Sequence, residues 1–383
     1  MKQLDQTSIR KQNVRKILEL LTKSPARTRQ SLAEATGLSL MTVTNLVDQL
    51  KEQHVLEILP APRPLAEKRS SGRKAELISL RSTGHAWLII DLSGRNFRYS
   101  LLGFNLCPLM EKNCTAQGDY VTRLRAFLAD VRTDIASELA SRTLLGVSVV
   151  TPGPYEIASD RVYNQRLPEL NTICIKEELR SALGDYDYYV DEDVKFAVRA
   201  FASLIEQEHC ELLYYLFIGE GVGGAAVHSG NMLRGHNATA GDAGQLTTPD
   251  GATYESLLSL SAFAASLNIH AEGSRQLAEK LAQAAKDDPD AYRAALLQAA
   301  RIAGDMLYNV LWVLDPSHII IDCRYALPFE EAFIRQINET LSTRTAPSGR
   351  KLPVITAAPQ GVSSVMRGAV QVLQREWVER MYL

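Results

Sequence analysis

Residues 28–53 read TRQSLAEATGLSLMTVTNLVDQLKEQ. Thr28 is a suitable N-cap for a short helix carrying Leu32, Ala33 and Ala35, because its hydroxyl can accept a bond from an otherwise orphaned backbone N–H. Gly37-Leu38 makes a tight turn, and Ser39 can cap a further helix with Val43, Leu46, Val47 and Leu50 on one face. Upstream, KQNVRKILELLTKS places Val14, Ile17, Leu18 and Leu21 at helical spacing. Helix, short glycine-containing turn, helix is the helix-turn-helix arrangement. The third helix then presents Ser39, Thr42, Thr44, Asn45 and Gln49 outward, and Arg29 and Gln30 open the helix before it. Small hydroxyl and amide side chains at those places suit phosphates and base edges in a major groove. An ordinary three-helix bundle with a polar surface carries the same local signals.

Residues 54–80 favour nucleic acid. HVLEILPAP (54–62) and AELISL (75–80) are spaced to pair as a β-hairpin, the wing of a winged helix. Between them EKRSSGRK (67–74) puts Lys68, Arg69, Arg73 and Lys74 into a loop able to reach a phosphate backbone or minor groove. The formal net charge of −2 conceals an asymmetry. Residues 1–80 hold 14 Lys/Arg against 8 Asp/Glu, and the remainder 28 against 36. A basic head on an acidic body points to an anionic partner for the head.

With 46% hydrophobic residues over 383 positions, the chain can bury more than one core. It has no apolar run long enough to span a bilayer and no signal-peptide core, so no membrane insertion is expected. The five cysteines, Cys107, Cys114, Cys174, Cys210 and Cys323, are scattered, as suits free thiols in a reducing cytoplasm.

After Arg81 the texture becomes that of an α/β body. HAWLIIDLSGRNFRYSLLGFN (85–105) reads as strand, turn, strand, and LLGVSVVTPGPYE (144–156) as a buried strand ending in a turn. ELLYYLFIGEGVGGAAVHSGNML (211–233) repeats the strand-turn-strand pattern, and HIIIDCR (318–324) is another apolar strand. Helical stretches are expected over residues 122–139, 259–285 and 289–313. Two similar openings suggest a duplicated α/β lobe with a cleft between the copies. SSVMRGAVQVLQREWVERM (363–381) reads as an amphipathic helix, to pack on the first lobe or in a subunit interface.

Taken in order, the helix-turn-helix, IDLSG, TPGP, VDEDVKFAVRA, FIGEGVGG, GHNATAGDAGQ and DPSHIIID resemble the ROK family of bacterial sugar kinases and sugar-responsive repressors. The resemblance implies a winged helix-turn-helix over residues 1–80 and a duplicated actin-like (RNase H-like) ATPase fold over 81–383. Lobe 1 would hold about 86–195 with the last helix, 363–383, and lobe 2 about 196–362. It also implies a homodimer or homotetramer on double-stranded operator DNA, answering to a sugar or sugar-derivative effector.

The family's kinase machinery is matched only in part. Its Asp-x-Gly-Gly-Thr phosphate turn reads Asp91-Leu92-Ser93-Gly94-Arg95-Asn96 here, with one glycine and the threonine replaced. The second phosphate turn, Gly219–Gly224, keeps its glycines, which equally serve a tight β-turn. Asp322-Cys323 stands where the family has an adenine-side Gly-Gly. Asp193 aligns with the family's catalytic aspartate, and its neighbour, an amide in the family, is Glu192. The family's zinc-binding histidine and three cysteines have no counterpart in Gly241-Asp242-Ala243-Gly244-Gln245 and the following TTPDGATYE. His236 is close by, and a lone loop histidine is more often a surface residue than a ligand. The ligand-facing set that remains is Glu192, Asp193, Asp242, Gln245 and Glu255, enough for a polyol or an amino sugar. No metal, no nucleotide cofactor and no kinase activity are expected, with Asp193 a vestigial base. The alternatives are a sugar kinase carrying a DNA-binding head, and a repressor governed by a protein partner around a vestigial pocket.

Overall fold

The structure is a computed structural model, and it describes residues 6–24, 26–60, 76–94, 96–114, 118–164, 167–202, 211–359 and 363–382. The chain divides into two compact units: Met1–Asp191 together with Ala369–Leu383, and Glu192–Gly368.

The first unit opens with three helices, α1 (Gln6–Lys23), α2 (Arg29–Thr36) and α3 (Leu40–Glu52), then strands β1 (Leu56–Pro60) and β2 (Glu76–Leu80). The caps are those the side chains favour. Thr28 accepts from the Ser31 N–H, Ser39 accepts from the Thr42 N–H, and Gly37 ends α2 in the left-handed region at φ +71°. Val43, Leu46, Val47 and Leu50 turn inward against Val14, Ile17, Leu18 and Leu21, all at most 3% exposed. Each such burial stabilises the head by roughly 1.5–3 kcal/mol relative to exposure. β1 and β2 pair antiparallel, from Leu56 opposite Leu80 to Pro60 opposite Glu76. This is the wing hairpin.

The same unit continues through β3 (His85–Asp91), β4 (Phe97–Gly103), β5 (Pro108–Cys114), α4 (Tyr120–Leu139), β6 (Thr143–Thr151), the small hairpin β7 (Tyr155–Glu156) and β8 (Arg161–Val162), α5 (Ile175–Leu183) and β9 (Tyr188–Glu192). The sheet order is β5-β4-β3-β6-β9. Strand alternation sorts the two faces. Ala86, Leu88 and Ile90 join Leu124, Phe127 and Leu179 in one core. Trp87 packs instead on Phe104.

The second unit holds α6 (Asp193–Ala202), β10 (Leu212–Ile218), β11 (Val222–His228), β12 (Asn231–Leu233), α7 (Tyr254–Leu258), α8 (Leu260–Ser266), α9 (Ser274–Asp287), α10 (Pro289–Leu314), β13 (His318–Cys323), α11 (Glu330–Thr345) and β14 (Val354–Ala357). Its sheet order, β12-β11-β10-β13-β14, repeats the first: three antiparallel strands, then β13 parallel to β10 as β6 is to β3, with β14 parallel to β13. β10 and β13 are buried on both faces, so their sequences are nearly continuous apolar runs. The last helix, α12 (Ser364–Met381), starts in this unit and ends in the first. Trp377 of α12 meets Phe104, and Ser148 donates to the Ala369 carbonyl, so the first sheet supplies its seat.

One expectation is corrected. Residues 259–285 form two helices, α8 and α9, because Asn268 at φ +56° and Gly273 at φ +90° break the helical path between them. The duplicated α/β architecture behind a winged helix-turn-helix stands as expected.

Candidate functional site

The head offers one end of α3 to a partner. Ser39 and Asn45 are exposed, and Thr42 and Thr44 half-exposed. Ser39 Oγ accepts from the Thr42 N–H and sits 2.9 Å from the Thr42 hydroxyl, while the Thr44 hydroxyl donates to the Leu40 carbonyl. These local bonds orient the hydroxyls and leave each an acceptor lone pair facing out. Beside them lie Leu40 and Met41, 52% and 76% exposed, which the sequence pattern did not single out. Apolar residues at the start of a recognition helix suit contact with a thymine methyl. A signal exists in the sequence for Met41, which falls off the Val43–Leu46–Val47–Leu50 stripe, but not for Leu40, which stands three residues before Val43 and continues it.

Two residues expected at the DNA are engaged inside the protein. Arg29 pairs with Asp48 at 3.0 Å and Glu76 at 2.8 Å, tying the start of α2 to α3 and to the wing strand β2. The Gln49 side-chain oxygen Oε1 accepts from Arg10 at 2.6 Å and from the Tyr382 hydroxyl at 3.1 Å. Gln30 is exposed and donates to Glu34 at 3.2 Å, the next turn of its own helix. Arg69, Arg73 and Lys74 lie outside the described residues.

In the second unit, the end of β9 and the start of α6 bring Glu192, Asp193 and Lys195 to one corner. Asp193 opens α6 and accepts from the Val194 N–H at 2.7 Å, as an acid does at a helix start. Lys195 is fully buried, forms an ion pair with Glu192, and donates to the Ala238 carbonyl at 2.6 Å. A lysine in VDEDVKFAVRA reads as a solvent-facing helix position. Only the fold reveals that it fastens α6 to the loop carrying Asp242.

That loop, residues 235–245, is pressed onto β11. The Tyr214 hydroxyl donates to the Gly241 carbonyl at 2.7 Å, and a methyl group on Gly244 would collide with the Val222 carbonyl. Glu255, on the first turn of α7, accepts from the Val222 N–H at 3.1 Å. Asp242 is largely enclosed, and its pKa is pushed up to about 6. Burial is the main cause, the Glu255 charge adds to it, and Lys195 and the Gly244 N–H oppose it. Asp242, Glu255 and Lys195 are therefore close enough to feel one another, whereas Gln245 and His236 are exposed.

The first of the two glycine-bearing turns is closed by its own side chains. Asp91 Oδ1 accepts from the Ser93 N–H at 3.0 Å and the Ser93 hydroxyl at 2.6 Å, and its other oxygen pairs with Arg98 at 2.5 Å. Arg95 lies outside the described residues. The second turn is closed by packing: Gly224 lies against the Tyr214 hydroxyl and the Gly241 carbonyl, with no room for a side chain. On β13, Asp322 accepts from the Tyr215 hydroxyl at 3.0 Å, and the Arg324 guanidinium lies over the Phe217 ring. Burial pushes the Cys323 thiol up to about 12.

Comparison with known proteins agrees with this geometry. A winged helix-turn-helix DNA-binding model matches residues 10–57, and the ROK family model matches 88–376. The xylose repressor of Caldicellulosiruptor bescii is 21% identical over 354 residues, 86% of this chain and 87% of its own. A solved ROK family transcriptional regulator, described as a homolog of the E. coli MLC protein, superposes with a TM-score of 0.70 at 17% identity, covering 98% of each chain. The ROK hexokinase of Thermus thermophilus reaches a TM-score of 0.57 at 21% identity, over 74% of this chain and 96% of its own. At such identities the solved structures speak for the fold. With a winged head of matching sequence and a family model spanning most of the body, this chain belongs to the ROK family.

Proposed function

We propose that this protein is a sequence-specific DNA-binding transcriptional repressor of carbohydrate genes, with the ROK body as its effector-sensing and oligomerising part. The observation that carries the reading is the recognition helix α3, capped by Ser39 and presenting Leu40, Met41 and Asn45 to solvent beside a wing hairpin. The named repressor among its relatives, which spans most of this chain, supports it. Two heads in a symmetric oligomer would meet two half-sites of a pseudo-palindromic operator. The basic segment 67–74, with Arg69, Arg73 and Lys74, would supply backbone contacts. Among the described residues no helix is long and apolar enough to cross a membrane, and we place the protein in the cytoplasm.

The test is binding of the full chain to a short duplex selected by it from a random-sequence library, against a scrambled duplex of equal composition. A preference of about 1000-fold or more is expected. Asn45→Ala should erode it about tenfold or more. Binding that is salt-labile and indifferent to sequence would refute the reading.

For the body we propose ligand sensing without phosphoryl transfer. Asp91 closes its own turn with Ser93 and Arg98, and Asp322 and Cys323 fill the place of a glycine pair. The loop at which the family holds zinc offers carboxylate, amide and hydroxyl oxygens with no thiolate, a donor set that does not fit a structural zinc. Glu192, Asp193, Asp242, Gln245 and Glu255 would frame a polyhydroxylated effector. D-xylose, the sugar in the relative's name, is the first probe, and stabilisation in a thermal shift is the readout. Solved ROK kinases share the fold, and Asp193 keeps its place at the start of α6, which favours the kinase as a second reading. ADP release over a hexose panel, abolished by Asp193→Ala, would establish it.

A further inference from the structure

Helix α12 is held by two kinds of contact. Along its length it sits on the first sheet through apolar and buried groups. Leu373 is fully buried and lies beside Gly146, Trp377 meets Phe104, and Arg380 donates to the Leu145 carbonyl at 2.8 Å. Its last turn meets the DNA-binding head through charged and polar groups. Glu379 pairs with Lys11, at 2.8 Å, and with Arg15 of α1. The Tyr382 hydroxyl donates to the Gln49 side-chain oxygen Oε1 at 3.1 Å, and Arg10 donates to that same oxygen at 2.6 Å with its guanidinium over the Tyr382 ring. Alongside runs a cleft of about 630 Å³, lined by Gln53 of the head, Leu144 and Asp187 of the lobe, and Trp377, Arg380 and Met381 of α12. The head's contacts with α12 described above are thus polar and border an open cleft. Ion pairs and single hydrogen bonds of this exposure contribute little each and break readily.

The residue taken is also informative. Thr42, Asn45 and Gln49 stand at i, i+3 and i+7, so they share one face of α3. Reading adenine with a glutamine uses both amide atoms at once, the oxygen accepting and the nitrogen donating. With its oxygen already engaged by Tyr382 and Arg10, Gln49 cannot form that pair. Glu379 meanwhile sets a carboxylate against two cations of α1, competing with any phosphate they would meet.

We propose that the last turn of α12 is a latch on the DNA-binding head: Tyr382 and Arg10 withhold Gln49, Glu379 neutralises Lys11 and Arg15, and release of this turn completes the DNA-reading face. The latch rests on the DNA-regulator reading. It also has a handle in the body. α12 begins in the second unit, where Gly368 lies directly on the Phe196 carbonyl of α6, the helix that opens with Asp193. A shift of α6 would therefore press on the start of the helix that carries the latch.

The test uses the full chain, the selected duplex and its scrambled control, with Tyr382→Phe and Glu379→Gln as variants. Neither change removes bulk. Tyr382→Phe should tighten specific binding about 3- to 10-fold. Glu379→Gln should tighten binding to both duplexes and steepen the log–log salt dependence by about one to two. Adding Gln49→Ala to Tyr382→Phe should remove the affinity gained. Unchanged or weakened binding by both variants, at unchanged melting temperature, would make the contact a strut and overturn the latch. If the wild-type chain itself fails to prefer the selected duplex, the regulator reading falls and takes the latch with it. A preferring wild type with silent variants sinks the latch alone.

Discussion

The two sheets repeat one strand order, yet their first turns are held by opposite means. In the first lobe a polar network does it: Asp91 gathers the Ser93 N–H, the Ser93 hydroxyl and Arg98, a residue that remains partly exposed. In the second lobe close backbone packing around the turn does most of it, with the Glu255 carboxylate accepting from the Val222 N–H where the turn enters β11. Gly224 admits the Tyr214 hydroxyl and the Gly241 carbonyl, and Gly244 admits the Val222 carbonyl. A network of side chains near solvent can be trimmed piece by piece at small cost. Backbone packed on backbone cannot, because nothing in it can rotate away. The lobe that bears Asp193, Asp242 and Glu255 is the one packed backbone on backbone, so these carboxylates sit on a rigid frame.

That contrast ranks the expected effects. The largest belongs to the buried ion pair that fastens α6 to the 235–245 loop. Lys195→Met should cost about 3–5 kcal/mol in urea unfolding, since it takes the buried ammonium away from the Glu192 carboxylate. Lys195→Met combined with Glu192→Gln should recover most of that loss. If the single variant costs under about 1 kcal/mol, the lysine is not the fastener.

Next comes Gly244→Ala, expected to cost about 3 kcal/mol or more, with hydrogen exchange quickening in β10 and β11. A neutral result would show that the loop can lift off β11, and the contrast between the lobes would fail.

Asp242 gives a pH signature of intermediate size. Its folded pKa of about 6 lies above its ordinary value of 3.8, so the folded protein binds the extra proton between those pH values. Stability from this group is complete below the lower value and is lost as pH rises through the upper one. Asp242→Asn should flatten that decline and raise stability near pH 7 by about 2 kcal/mol, read from melting temperatures across pH. A profile unchanged by the substitution would place Asp242 in open solvent.

The smallest effect is expected in the first lobe. Asp91→Asn keeps an acceptor for Ser93 and weakens only the pairing with partly exposed Arg98, so about 1 kcal/mol or less should be lost. A loss comparable to that of Gly244→Ala would mean that both turns are equally rigid.

Much of the fold is legible in the sequence, and the reason is the range of the interactions. The caps at Thr28 and Ser39, the turn at Gly37 and the buried stripe of α3 involve partners within a few residues. The wing hairpin and the alternation of β3 follow from strand period in the same way. The break between α8 and α9 is not legible, because residues 259–285 contain no proline and their composition suits a helix throughout. Asn268 and Gly273 adopt left-handed backbone only in the folded setting. The exposure of Leu40 is hidden for a different reason: it continues the apolar stripe of α3 and is assigned to the core by its spacing, whereas Met41 falls off that stripe.

The sequence alone determined the three helices and wing of the head, the main strands of the body and their duplication, since capping, periodicity and turn chemistry are properties of short segments. It also named the residue types of the 241–255 segment: carboxylates and an amide, with no thiol or imidazole. Only the tertiary structure decided what those residues are bound to. Lys195 meets a carbonyl 43 positions away, and Gln49 meets a tyrosine 333 positions away. A side chain's partner across such distances is set by how sheets and helices close on one another, which no local pattern encodes. The helix that reads as an amphipathic tail thereby becomes the element that touches the recognition helix.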